Sequence, residues 1–204
     1  MSDARDNQLA IVDGGGANIA SLTFALARLG VSGELTTDAG RIRAARRVIL
    51  PGVGAAGRAM EVLGEHGLVG TLRELTQPVL GICLGMQLLF DSSEEDDAQL
   101  LGIIPGRLRK LEETAALRVP HMGWNSITSQ KADSLADRLD GKWFYFVHSY
   151  AAPVNEWTLS TSRHGSTFSA IVRKDNFYGA QFHPERSAGA GAELLRGFLE
   201  EPLQ

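Results

Sequence analysis

The sequence has a single cysteine, Cys83, among 204 residues. It cannot form an internal disulfide, so nothing in the chain calls for an oxidising compartment. No apolar run approaches the ~18–20 residues needed to span a bilayer. Residues 1–7 are polar and charged, without the apolar stretch of a secretory signal. A basic excess is also missing: the formal net charge is -4 with 22% charged residues, whereas nucleic-acid binding leaves a basic patch. One cysteine and five scattered histidines lack zinc-ligand spacing. Gly14-Gly15-Gly16 is an incomplete version of the G-x-G-x-x-G dinucleotide pattern. Internal repeats, linkers and low-complexity stretches are absent. The expectation is a soluble, cytoplasmic, globular protein without metal, cofactor, nucleic-acid or membrane partner.

What is present is a 44% hydrophobic composition, enough for one domain with a full core. We expect that domain to cover residues 1–204, with 1–7 as a flexible N-terminal tail. The apolar run at 9–12 leads into a glycine turn, a helix pattern over 18–29 and a stop at Gly30. Further short apolar runs at 34–36, 48–50 and 78–82 alternate with helix patterns over 63–75 and 84–90. This alternation predicts parallel βαβ units. From about residue 101 the pattern changes to strands at 103–111, 126–128, 143–147, 158–162, 168–172 and 178–182, then a closing helix over 188–199. The fold class expected is α/β: a mostly parallel central sheet flanked by helices, with an added antiparallel section. The acidic run at 94–97 is most simply a solvated loop.

The sharpest local pattern is Gly81-Ile82-Cys83-Leu84-Gly85, lying between a strand pattern and a helix pattern. This is the G-x-nucleophile-x-G arrangement of a strained strand-to-helix turn, where side chains beside the nucleophile have no room. The free N–H groups at the start of the following helix favour a reactive thiolate. A lone cysteine is more often a buried small hydrophobe, so the motif asks for a base. His183 supplies a candidate in Phe182-His183-Pro184-Glu185. Pro184 pushes His183 into an extended conformation. Residues i and i+2 of an extended chain share a side, which sets Glu185 beside the imidazole. Cys83, His183 and Glu185 then form a nucleophile, base and orienting acid. Both motifs end strands, and active sites of open α/β sheets gather at strand carboxyl ends. Acyl transfer also needs oxyanion donors: the amide of Leu84, and a second from the loop Pro51-Gly52-Val53-Gly54, which is otherwise an ordinary turn.

Pro51-Gly52-Val53-Gly54, Gly81-Ile82-Cys83-Leu84-Gly85-Met86-Gln87 and His183-Pro184-Glu185, in that order, resemble the class I (triad) glutamine amidotransferases from about residue 9 to 198. Pro120-His121-Met122-Gly123-Trp124-Asn125, Phe146-Val147-His148-Ser149-Tyr150 and the run 87–95 narrow the resemblance to the glutaminase subunits of imidazole glycerol phosphate synthases. One loop departs: the family commonly has Asp-Tyr-Gly-x-Gly-Asn, and here Asp13-Gly14-Gly15-Gly16-Ala17-Asn18 stands in its place.

The resemblance implies that Cys83 attacks the side-chain amide of L-glutamine, with His183 moving the proton and Val53 in the reorienting oxyanion loop. It implies that Gly54, Gln87, Glu95, Ser149 and Tyr150 hold the glutamine. It also implies a heterodimer with a separate (β/α)8 barrel cyclase subunit that receives ammonia. Pro120, His121, Met122, Trp124, Asn125, Tyr145, His148 and Arg186 match positions near the shared interface or ammonia path; Arg186 stands where the family usually has lysine. Read without the family, His121 is a solvent-exposed loop histidine, His148 a hydrogen-bonded core histidine and Glu95 part of a solvated face. Trp124 and Tyr145 are then ordinary aromatics. Three rivals remain: a triad glutaminase of another synthesis, a stand-alone γ-glutamyl cysteine hydrolase, and a non-catalytic regulatory module.

Overall fold

The computed structural model describes residues 9–15, 19–114 and 117–203. The tail expected at 1–7 and most of the departing loop, residues 16–18, lie outside the described residues. The first half runs β1 (Leu9–Val12), α1 (Ile19–Arg28), β2 (Glu34–Thr36), α2 (Ala39–Ala44), β3 (Arg47–Gly52), α3 (Ala56–Glu65), α4 (Leu68–Arg73), β4 (Val79–Cys83), α5 (Leu84–Gln87) and β5 (Phe90–Ser93). Strands then dominate: β6 (Ile104–Lys110), β7 (His121–Ser126), β8 (Thr128–Ser129), a short α6 (Ser134–Asp137), β9 (Trp143–His148), β10 (Tyr150–Ala151), β11 (Thr158–His164), β12 (Ser166–Lys174) and β13 (Phe177–Ala180). A 3-10 turn at Pro184–Arg186 precedes the closing helix α7 (Ala188–Glu200).

Eight strands form the central sheet in the order β2-β1-β3-β4-β13-β12-β11-β8. Pairing is parallel from β2 to β13 and antiparallel from β13 to β8. Every residue of β1 and β4 is buried, as expected of parallel strands covered on both faces. The strand period of two divides their side chains between two cores. Leu9, Ile11, Ile49, Leu80 and Ile82 pack with α1 and α7. Ala10, Val12, Val48, Leu50 and Val79 pack with α2, α3 and α4 on the other side. Two smaller sheets, β10-β6-β5 and the antiparallel β7-β9 pair, stand apart from the central one.

The register sets the site. Gly52 pairs with Cys83, and Ala180 with Ile82. The carboxyl ends of β3, β4 and β13 therefore finish level, and the segments that follow them meet there.

Four expectations need correction. The pattern over 63–75 is two helices, α3 and α4, separated at Gly67 in the left-handed region (φ 66). α3 begins at Ala56, earlier than expected, because its first amide is capped from afar: Ala56 N donates to Glu95 Oε2 at 2.7 Å, and Ala55 at the cap position contributes no side-chain bond. The helix expected over 84–90 ends at Gln87. The carbonyls of Leu88, Leu89 and Phe90 accept from Leu101, Ile103, Ile104 and Gly102, which draws this segment into strand β5. Finally, the strand expected at 126–128 is the junction between β7 and β8, and the 120–125 motif is itself mostly strand.

Candidate active site

Cys83 sits at the tip of β4 with φ 53 and ψ -111, a conformation an L-residue holds only under constraint from its surroundings. The flanking glycines supply that constraint. A Cβ on Gly85 would lie 1.7 Å from the Leu50 carbonyl oxygen, and one on Gly81 2.6 Å from the Gly85 carbonyl oxygen. The turn closes only without side chains at these two positions. Leu84 opens α5, so its amide has no intrahelical acceptor.

His183 ends the segment after β13 in an extended conformation (φ -98, ψ 97). Its amide donates to Tyr145 O at 2.9 Å, and its carbonyl accepts from Ser187 Oγ at 2.6 Å. The backbone of the imidazole is thus fixed from β9 and from the start of α7. Its Nδ1 donates to Glu185 Oε1 at 2.8 Å, and the two side chains are 7% and 5% exposed. The expected pairing of His183 with Glu185 is present. The route differs: Glu185 arrives through the 3-10 turn, not along a continuing extended chain.

Cys83 and His183 line one cavity of about 300 Å³, a volume within the range of small-molecule sites. Cys83 Sγ contacts the Val147 carbonyl at 3.8 Å. His183 Nε2 is buried without an aligned hydrogen bond among the described residues, yet the sulfur lies close enough to act on it. Burial is the largest influence on His183 and pulls its pKa down. Hydrogen bonding and charge from Cys83 and Glu185 together outweigh it and raise the imidazole to about 10. The imidazole is therefore well suited to take up and hold a proton.

The same cavity gathers Val53, Gly54, Leu84, Gln87, Glu95, Ser149 and Tyr150. Gly54 has φ 95 with open space around it, and Val53 is 42% exposed at the rim. Glu95 is half-buried, tied to the start of α3, so it is not the solvated residue expected of an acidic run. Burial and the nearby charges of Glu95, Asp96 and Glu94 raise the Tyr150 phenol, so this wall of the cavity is negative.

The positions grouped as interface or path separate into two sides of the β7-β9 pair. Met122 (68%), Trp124 (51%) and Trp143 (58%) are exposed. Trp124 packs edge-on against Tyr145, and the Arg186 guanidinium lies over the Tyr145 ring. On the inner side, His121 is buried at 4%, stacked on Phe146 and His164, and is not the exposed loop residue expected. Pro120 and His148 line the cavity.

These inner residues form a directed hydrogen-bond chain. His148 Nδ1 donates to Tyr150 O at 2.9 Å, which leaves His148 Nε2 to accept from His121 Nδ1 at 3.0 Å. His121 Nε2 then accepts from Asn125 Nδ2 at 3.3 Å. Both imidazoles must be neutral for this arrangement. Burial lowers His148 to about 3 and His121 to about 4, and neighbouring histidines push the same way.

Sequence reasoning missed Trp143, Ser187 and Gln181. Gln181 is fully buried and donates to Cys83 Sγ at 3.9 Å. Its signal was available: it precedes His183 by the same two-residue step that pointed to Glu185.

A family description, glutamine amidotransferase class-I, matches residues 10–201. This chain belongs to that family. Among its relatives, the imidazole glycerol phosphate synthase subunit HisH of Xanthomonas axonopodis pv. citri is 51% identical over 94% of this chain and 96% of its own length. HisH of Xylella fastidiosa is 50% identical over 95% of this chain and 97% of its own. Two solved structures share the fold of this chain. A glutamine amidotransferase superposes with a TM-score of 0.73 at 20% identity, over 94% of this chain and 97% of its own. A second glutamine amidotransferase, from Thermotoga maritima, gives 0.63 at 14%, over 94% of this chain and 81% of its own.

Proposed function

We propose that this class I amidotransferase is the glutaminase subunit of imidazole glycerol phosphate synthase, acting in histidine biosynthesis as one domain. The carrying observation is the shared cavity: a strained cysteine and a carboxylate-paired histidine line the same pocket. The pathway rests on relatives named HisH that match about half of all positions over nearly the whole of both chains.

In this reading the Cys83 sulfur attacks the side-chain carbonyl carbon of glutamine, and its proton resides on His183. The resulting oxyanion takes the Leu84 amide and a donor from the Val53 loop. His183 protonates the leaving nitrogen, ammonia departs, and a thioester remains on Cys83. Water, deprotonated by His183, then releases glutamate and restores the thiol. Glu185 holds the imidazole in one tautomer and stabilises its charged form.

The negative wall around Glu95 suits an α-ammonium group. Gln87 spends its NH2 on Tyr150 O and Gln181 Oε1, so its contribution to a ligand is a carbonyl acceptor. Gly54, Ser149 and Tyr150 complete the enclosure. Ammonia leaves past Pro120 and His148, and the outer face of Met122, Trp124, Tyr145 and Arg186 docks the (β/α)8 barrel of the cyclase. An exposed aromatic face of this kind fits an interface. There ammonia converts the ribulosyl-formimino carboxamide nucleotide to imidazole glycerol phosphate and an aminoimidazole carboxamide ribonucleotide. No helix among the described residues is long and apolar enough to cross a membrane, and we place the enzyme in the cytoplasm.

The test is glutamate release with and without the cyclase and its nucleotide. Strong stimulation, with imidazole glycerol phosphate formed from glutamine, is expected. Full activity alone, unchanged by the cyclase, would point instead to a stand-alone hydrolase or another amidotransferase.

A further inference from the structure

The proposed chemistry uses three side chains, but a fourth touches the sulfur. Gln181 is fully buried, and its Nε2 lies 3.9 Å from Cys83 Sγ. The two ends of a glutamine amide look alike, so the neighbours must decide which one faces the sulfur. The Tyr150 carbonyl can only accept. Gln87 meets it at 2.8 Å, which turns the Gln87 NH2 that way. The same NH2 is 3.0 Å from Gln181, which must offer it a carbonyl oxygen. The NH2 of Gln181 is then the end left for Cys83.

We propose that Gln181 is a positioning residue for the nucleophile: its N–H, oriented by Gln87 and the Tyr150 carbonyl, holds the Cys83 sulfur in its ionised form at the cavity floor. This rests on reading Cys83 as the nucleophile. The protonated thiol has an acceptor in the Val147 carbonyl at 3.8 Å. That contact is lost and turns repulsive once the proton leaves. In a site only 6% exposed, the ionised sulfur needs protein donors in place of water, and a donor to the charged form favours it. The imidazolium supplies one and Gln181 the other. Both come from the same segment after β13, so one register places base and donor together.

The chain's single cysteine makes the test direct. Iodoacetamide alkylation of the full chain is followed by mass spectrometry at pH 7 and pH 10, and the ratio of the two rates is taken. The ratio cancels cavity access and reports the fraction of thiolate. For a cysteine in a short peptide it is about 1 to 30, from a thiol titrating near 8.5. The parent chain is expected well above that value. In Gln181→Met the ratio should fall about threefold or more, since the donor is gone. In Gln181→Glu it should fall further, because an oxygen replaces the N–H against the sulfur. Thermal melts check folding; if the Met variant does not fold, the Glu variant, with the parent's shape, carries the test. A packing role would slow both pH values alike, so an unchanged ratio in the folded variants overturns the proposal. A parent ratio equal to the peptide's would instead overturn the reading of Cys83 itself.

Discussion

Replacing Glu185 with glutamine keeps its shape and removes its charge, which isolates what the carboxylate does. Nδ1 of His183 and Oε1 of Glu185 are 2.8 Å apart, so the centres of the two charges lie about 4 Å apart. At an effective dielectric of about 20, their attraction is about 4 kcal/mol. The side chains are 7% and 5% exposed, so solvent screening takes little of this away. The imidazolium is the state that Glu185 stabilises, and the reaction passes through it when ammonia is expelled. At about 1.4 kcal/mol per decade, the expected loss in kcat is about a thousandfold. KM should barely change, because Glu185 faces a small separate hollow with Leu22 and Ile82, not the ligand cavity. The assay is glutamate formation against glutamine concentration in the complex with the cyclase and its nucleotide. A kcat within tenfold of the parent, or a loss carried by KM, would refute the reasoning.

Cys83→Ala should abolish glutamine hydrolysis and leave folding and partner binding intact, while free ammonia still drives the cyclase in the complex; residual hydrolysis near the parent rate would remove Cys83 from the mechanism. Gly85→Ala should cost about 3 kcal/mol or more in urea unfolding, since its Cβ meets the Leu50 backbone at 1.7 Å; a cost below about 1 kcal/mol would contradict the packing described. His148 also predicts a pH dependence of stability. Its pKa falls from 6.5 in the unfolded chain to about 3 in the fold, so the unfolded chain binds the extra proton below pH 6.5 and stability falls as pH drops through that value. Between pH 7 and pH 5 this amounts to about 2 kcal/mol. His148→Asn should reduce the acid sensitivity of unfolding by about that much, and parent and variant curves that fall in parallel would count against a neutral buried histidine.

The sequence was most informative where chemistry is local. The glycines around Cys83 announced a turn without room for side chains, and the structure shows backbone carbonyls filling that space. The step of two from His183 to Glu185 announced a pair, and the pair is there. It was least informative where a hydrogen bond comes from far along the chain. The start of α3 depends on Glu95, 39 residues away, so no capping signal precedes Ala56. The helix begun at Leu84 stops early because residues 101–104 take its would-be carbonyls. His121 read as a loop residue because its stacking partners, Phe146 and His164, lie on other strands.

The alternation of strands and helices, the tight glycine-flanked turn at Cys83 and the pairing of His183 with Glu185 are legible in the sequence alone, because each depends on residues within a few positions of one another. That Cys83 and His183, 100 residues apart, share a cavity depends on the order and register of β3, β4 and β13. The directed chain from Asn125 through both histidines, and the turning of Gln181 toward the sulfur, depend on which acceptor is left unsatisfied after packing. Such choices are made by burial, where leaving a polar group unpaired is costly, and burial exists only once the sheet has closed.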